Sequence, residues 1–220
     1  RFPLRRCIFK PTAIIQNIRT RLNALLLHLA DKVMDRIYGP RKRSIYAELP
    51  STVVEIGPGA GANLRYYAPY TRVIAIEPNP AMHTYLKAKA KRYNIDLEIR
   101  AVKGEQIDLA DNSVAVVIGT LVLCTVAHPE KVLSEIHRIL KPGGRYIYIE
   151  HVSDIPGTAV HFIQKKIHGV WARLFDGCRL TRHTHLAIQK AGFSHVQMDC
   201  FTMKSRWLPF APHIFGSAIK

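Results

Sequence analysis

The chain has 220 residues, 48% of them apolar, which is enough for one α/β domain with a full core and an added segment. Its 32 Lys and Arg against 16 Asp and Glu give a net charge of +16. That excess points either to an anionic partner or to a solvated basic surface, and argues against an ordinary small-metabolite enzyme. The four cysteines, Cys7, Cys124, Cys178 and Cys200, form no C-x-x-C pair and have no ligand spacing with histidine. They read as reduced thiols, and neither a disulfide frame nor a metal site is expected. No run of about 18 uncharged apolar residues occurs, so no membrane-crossing helix is predicted. The chain opens on Arg1, as a processed precursor or a trimmed segment would.

Residues 1 to 11 are Arg-rich, contain Pro3 and Pro11, and read as an extended arm. From Thr12 to Tyr38, apolar residues from Ile14 to Ile37 recur at three- and four-residue steps. The spacing predicts an amphipathic helix with a basic side, ended by Gly39-Pro40. Such a helix either lies on an anionic surface or packs over a sheet. Arg41-Lys42-Arg43 is expected as a solvated junction, dividing residues 1–43 from a domain over residues 44–220.

Thr52 to Ile56 is a short β-branched strand carrying Glu55. Gly57, Gly59 and Gly61 follow in G-x-G-x-G spacing, with a helix expected to open between Ala60 and Tyr67. A strand, a glycine turn and a helix start make a nucleotide-binding corner, because glycine lets a ligand approach the backbone. The spacing is not the dinucleotide G-x-G-x-x-G, and no Lys-Ser/Thr follows as in a phosphate loop. A second strand, Arg72 to Ile76, ends at Glu77-Pro78, and an acid there can accept from both hydroxyls of a ribose. A helix follows over Met82 to Tyr93, then a strand over Leu97 to Val102 and the segment Gly104-Glu105-Gln106. Val114 to Gly119 is apolar enough to be the central strand, and it leads into Thr120-Leu121. Pro129 to Leu140 is helical, and Lys141-Pro142-Gly143-Gly144 turns it into a fifth strand, Arg145 to Ile149, tipped by Glu150 and His151. Helices over His161 to Phe175 and Thr184 to Ala191 flank an irregular loop. Strands His195 to Phe201 and His213 to Ile219 close the pattern, and the alternation indicates a mainly parallel sheet.

Four features in order resemble class I S-adenosylmethionine methyltransferases: E-I-G-P-G-A-G-A-N at 55 to 63, the acid at 77, T-L-V-L-C-T-V at 120 to 126, and L-K-P-G-G at 140 to 144. The resemblance implies a Rossmann-like α/β fold: seven strands, the last inserted antiparallel, helices on both faces, and here an added N-terminal amphipathic helix. It implies S-adenosyl-L-methionine as cofactor, with Glu55, Gly57, Gly59, Gly61, Asn63, Glu77, Pro78, Gly104, Glu105, Thr120 and Leu121 around it. I-E-H-V at 149 to 152, F-D-G-C-R-L-T-R at 175 to 182 and P-H-I-F-G-S-A-I-K at 212 to 220 are similar to the methyltransferase-like protein 7 family. Its members are membrane-associated methyltransferases of small alkyl thiols. The likeness runs from about Ile45 to Lys220 and omits the N-terminus, where animal members carry a hydrophobic anchor. Pro58, Glu77 and Ala115 stand where cysteine, aspartate and aspartate are usual.

Methyl transfer from a sulfonium needs alignment of the nucleophile and exclusion of water more than it needs a strong base. His151 is the candidate to help deprotonate a thiol, or else a structural histidine. Asp176 either orients that histidine or the acceptor, or caps its loop. Cys124 and Cys178 read as packing residues, and Trp171 as a pocket wall or core. Two functions stay open. One is a methyltransferase for a small apolar acceptor, an alkyl thiol by preference. The other is a methyltransferase-fold subunit or assembly factor of a large complex, organellar, RNA-containing or membrane-bound, held through basic residues 1–43. The location expected is intracellular, at a membrane periphery or in an organelle such as the mitochondrion.

Overall fold

The computed structural model describes residues 13–203 and 209–220; the expected arm over residues 1 to 11 lies outside them. Seven strands form one sheet: β1 Thr52–Ile56, β2 Arg72–Ile76, β3 Asp96–Arg100, β4 Val114–Thr120, β5 Leu140–His151, β6 His195–Thr202 and β7 Pro212–Ile219. Their order is β3-β2-β1-β4-β5-β7-β6. The first five run parallel, while β7 enters antiparallel between β5 and β6. β4 is the middle strand, as its apolar run predicts. The Lys141-Pro142-Gly143-Gly144 turn is a bulge within β5: Leu140 pairs with Val114, yet Arg145 pairs with Val116.

Alternation along the strands sends residues to two cores. Val54, Ile56, Val117, Tyr146 and Tyr148 face α4 (Pro129–Ile139) and α6 (Thr184–Gln189), with Val132, Leu133, Ile136, Ile139 and Ile188 buried between. Val53, Val73, Ala75, Val116, Ile118 and Ile147 face the other way, onto Leu86 and Ala90 of α3 (Pro80–Tyr93) and onto Tyr46, Leu64 and Tyr67. Strands buried on both faces must be apolar nearly throughout, which is why β1, β2 and β4 carry so few polar residues. α5 (Ala159–Leu174) follows β5, its first turn capped by Thr158 Oγ1, which accepts from His161 N at 3.1 Å.

The N-terminal region differs from the single helix expected to end at Gly39-Pro40. α1 spans Ala13–Leu29, and α2 spans Asp31–Ile45 straight through that dipeptide. A proline inside a helix loses a hydrogen bond and costs about 3 kcal/mol, so something must hold α2 together. Asp31 pairs with Arg65 and with Lys89 (2.7 Å), and Asp35 accepts from Tyr66 and pairs with Arg65 at 3.4 Å. On either side of the proline, Tyr38 meets His213 Nε2 at 2.8 Å and Tyr46 meets Thr120 Oγ1 at 3.0 Å. Gly39 also suits the crossing, since a Cβ there would lie 2.7 Å from Asp35 Oδ1, and without one the usual clash before proline is relieved. Arg41-Lys42-Arg43 is therefore a turn of α2 and not a junction, with Arg43 alone exposed as expected. Lys42 is buried, with its ammonium 5.7 Å from the Tyr38 ring centre and 5.6 Å from that of Tyr66. Burial pulls its pKa down to about 8, with Glu55 opposing. Arg41 lies over Phe201, 3.7 Å from the ring centre. The division expected between residues 43 and 44 falls inside α2.

Candidate functional site

The C-terminal ends of β1, β2 and β4 lie at one edge of the sheet, and the reversal of strand order between β1 and β4 is where such sheets leave a crevice between their loops. After β1 the chain turns through Gly57, Gly59 and Gly61, with φ of 60°, 55° and 78°. These are left-handed conformations that a side chain would strain. A Cβ on Gly57 would come within 2.6 Å of Val122 Cγ2, whereas one on Gly59 would meet nothing within 4 Å. The space beside Gly59 is thus open to a ligand. The helix expected between Ala60 and Tyr67 is only a 3-10 turn, Leu64–Tyr66, because the third glycine conformation delays helix entry.

Glu77, at the tip of β2, is 6% exposed. Its Oε2 accepts from Gly59 N at 3.0 Å and its Oε1 from Asn79 N at 2.9 Å. Burial pushes its pKa up, the two backbone donors oppose that, and the nearby charge of Asp176 adds to it. Pro78 is exposed next to it. Glu55 is placed differently: fully enclosed, it accepts from Asn63 Nδ2 and from the Tyr67 hydroxyl, both at 2.7 Å. Asn63 Nδ2 also donates to Thr120 Oγ1 at 3.1 Å. Glu55, Asn63 and Thr120 thus brace the glycine turn against β4 and α2. Pro58 is buried, and its carbonyl accepts from Gly61 N at 2.9 Å. Gly104 packs on Ile56 and Val132, and Glu105 accepts from Ala127 N and His128 N at 3.1 and 3.2 Å. That carboxylate ties the loop after β3 to the start of α4. Ala115 lies at the far end of β4 from Thr120, away from the crevice.

Leu121 turns the chain off β4 with φ 56°. The next three residues are held by Glu150, a fully buried carboxylate that sequence reasoning noted without assigning a role. Its Oε1 accepts from Val122 N and Leu123 N, both at 2.9 Å, and its Oε2 from Cys124 N at 3.3 Å. Burial raises its pKa to about 7 despite these donors. An acid at the end of a strand, next to a neighbouring strand's exit loop, was the available sequence signal.

His151 is also buried, and its Nε2 lies 3.0 Å from Cys178 Sγ, while its Nδ1 is buried without a partner. Trp171 Nε1 donates to the same sulfur at 3.3 Å. Cys124 completes the group, the three ligand atoms of Cys124, His151 and Cys178 lying within 4.8 Å of one another. The Cys178 thiol is held well below its usual pKa, first by the hydrogen bond with Cys124 and then by that with His151. Cys124 is pushed the other way by the same bond and by burial. Reading these cysteines as plain packing missed the cluster. Asp176, φ 46°, sits on the turn two residues before Cys178, and its charge adds to the upward push on the Glu77 carboxyl. Arg179 N donates to Cys124 O at 2.8 Å, and Arg182 donates to Leu123 O and Val126 O, locking the two loops together.

Comparison with known proteins accords with this geometry. A family model described as a methyltransferase domain matches residues 54–148. The chain is 39% identical over 191 residues to thiol S-methyltransferase TMT1B of Rattus norvegicus, covering 82% of this chain and 78% of that protein. To human thiol S-methyltransferase TMT1A it is 38% identical over the same shares. Among solved structures, the complex of the Haloferax volcanii Trm112 activator with a methyltransferase aligns with TM-score 0.65 at 19% identity, over 91% of this chain and 96% of that one. A Haemonchus contortus phosphoethanolamine N-methyltransferase in complex with S-adenosyl-L-methionine aligns with TM-score 0.58 at 13% identity, over 77% and 48%. The chain is a class I S-adenosylmethionine-dependent methyltransferase and belongs to the TMT1 family.

Proposed function

We propose that this methyltransferase transfers the methyl group of S-adenosylmethionine to the sulfur of a small apolar thiol. The observation that carries the reading is the open glycine corner beside buried Glu77, at the same edge of the sheet where the exit from β4 and the end of β5 bring Cys124 and His151 together with Cys178. The thiol S-methyltransferase names of the relatives support the choice of acceptor.

The residues fit the cofactor. The empty space at Gly59 is a cradle that a single Cβ would begin to fill, and Glu77 is a carboxylate suited to ribose hydroxyls. In this reading Gly57, Gly59, Gly61, Glu77 and Pro78 line the cofactor's place, with Thr120 and Leu121 at its reactive end. Glu55, Asn63, Gly104 and Glu105 act from behind, by fixing the loops. When bound, the cofactor supplies an activated methyl group on sulfonium sulfur. The chain's own work is to align the acceptor, keep water out and take up the thiol proton. His151 is assigned the role of taking that proton, and Asp176 that of shaping the turn before Cys178, the partner of His151. The test is turnover of a short alkanethiol by wild type and His151→Ala. The loss should be greatest at low pH, where few acceptor molecules are already thiolate. With a chelator present, a loss equal at all pH values contradicts the role of His151 as proton acceptor.

We further propose that the N-terminal segment attaches the domain to an anionic surface. Leu22, Leu25, Leu26, Leu29 and Val33 are exposed along α1 and the start of α2, with Arg21, Lys32 and Arg36 also exposed. Ala24 on the opposite side packs with Ala60 and Met82, and Asn23 Nδ2 donates to Leu174 O at 3.0 Å. α1 is thus both docked on the domain and apolar outward. No described helix is long and apolar enough to cross a membrane. The alternative of a subunit in a large assembly rests on the same basic segment. Pelleting with anionic vesicles or with a protein–RNA particle separates the two.

A further inference from the structure

We propose that Cys124, His151 and Cys178 form a binding site for a thiophilic divalent cation of the zinc type, at the acceptor end of the crevice. Two sulfurs and an imidazole nitrogen within 4.8 Å of one another are the ligand set that zinc selects. With Zn–S of about 2.3 Å and Zn–N of about 2.0–2.1 Å, a tetrahedral ion needs its ligands roughly 3.4–3.8 Å apart. The His151–Cys178 separation of 3.0 Å then opens by about half an ångström, and a pair as wide as 4.8 Å closes by about 1 Å, both within reach of side-chain rotation.

The framework is already built. Cys124 is held by Glu150 through its amide and by Arg179 N through its carbonyl. His151 ends a central strand, and Cys178 receives the Trp171 N–H, a donor suited to a thiolate. Burial of Cys124 and His151 excludes competing water. Binding replaces the protons held among the two thiols and the imidazole, and these go to solvent.

Among the described residues no fourth His, Cys, Asp or Glu joins the group. A tetrahedral ion so held keeps one position open, as catalytic rather than structural zinc does. The cluster stands on the loop that follows Thr120 and Leu121 and at the end of β5, the same edge of the parallel sheet that carries Gly59 and Glu77, so the open position is assigned to the acceptor. There the ion binds the acceptor as thiolate, the thiol proton passing to solvent, and this role rests on the thiol reading above. His151 is then a ligand in the loaded protein and a proton acceptor in the metal-free one.

The test uses the full chain, stripped with a chelator and titrated with Co²⁺. The expected result is one equivalent bound, with a thiolate-to-cobalt charge-transfer band and the visible bands of a tetrahedral ion. Both should be lost in Cys178→Ser while S-adenosylmethionine binding persists, and Zn²⁺ should displace the cobalt. A folded, cofactor-binding wild type that takes up no ion overturns the site, as does a spectrum unchanged by Cys178→Ser. Should that variant fail to fold, the charge-transfer band in wild type decides, and its absence overturns the site. Adding an alkanethiol should shift the cobalt bands. Unshifted bands in a loaded protein that still methylates the thiol overturn the ion's role toward the acceptor and leave the thiol reading intact. Bound metal without S-methylation overturns the thiol reading instead.

Discussion

Substituting Gly59 with alanine separates the cofactor's place from the strain of a left-handed residue. At φ 55° an alanine costs about 1–2 kcal/mol of folding stability. The added methyl meets no protein atom within 4 Å, so steric cost within the chain adds nothing. Gly143 is the natural control. It too is left-handed, φ 75°, with nothing within 4 Å of a Cβ, but it lies in the β5 bulge at the other end of the sheet. Both variants should therefore unfold at similar, slightly lower denaturant concentrations. Calorimetric titration with S-adenosylmethionine should distinguish them. Gly143→Ala should bind as wild type does, while Gly59→Ala should bind more weakly, by about tenfold for each 1.4 kcal/mol lost where the methyl blocks backbone approach. Equal affinities in the two variants would refute the placement of the cofactor against this turn.

Glu77→Ala leaves the Gly59 and Asn79 amides without an acceptor and removes the hydroxyl partner, so cofactor affinity should fall by about 1–3 kcal/mol in the same titration, with Glu77→Asp retaining most of it. Glu150 gives a pH signature. Its folded pKa of about 7 exceeds the ordinary 4.5, so between those values the folded chain holds a proton that the unfolded chain releases. Stability therefore falls as pH rises through that window, by on the order of 3 kcal/mol at about 1.4 kcal/mol per unit. Denaturation midpoints of Glu150→Gln should lack this part of the slope, and parallel pH profiles would contradict it. Replacing exposed Arg21, Lys32 and Arg36 by glutamine should weaken pelleting with anionic vesicles at low salt by about 1 kcal/mol per charge, with cofactor affinity unchanged. Unchanged pelleting would remove the case for an anionic surface.

The parts of the fold set by local pattern were readable from the chain. Glycines at 57, 59 and 61 after a β-branched run, an acid after the next such run, and an all-apolar β4 each constrain a few adjacent residues. The course of α2 was not readable. Gly39-Pro40 is a local stop signal, overridden by ion pairs to Arg65 and Lys89 and by Tyr38 and Tyr46, whose partners lie far along the sequence. The cysteine–histidine cluster escaped for the same reason. Spacing rules look for ligands a few residues apart, whereas Cys124, His151 and Cys178 come from three separate segments. Only the adjacency of β4 and β5, combined with a cysteine after one and a histidine ending the other, hinted at their meeting. Glu55 shows the converse. Its place in the motif marked it for the cofactor, but both its oxygens are taken by Asn63 and Tyr67, and its work is to hold the turn.

The central claim is that the crevice directs an activated methyl group to sulfur. The most direct measurement supplies methyl-labelled S-adenosylmethionine and three acceptors of equal length and shape, an alkanethiol, the matching alcohol and the matching amine. Label should appear as the methyl thioether alone, and should be lost when Gly59 is replaced by valine. Label on the alcohol or amine, or cofactor binding with no transfer to the thiol, would contradict the account.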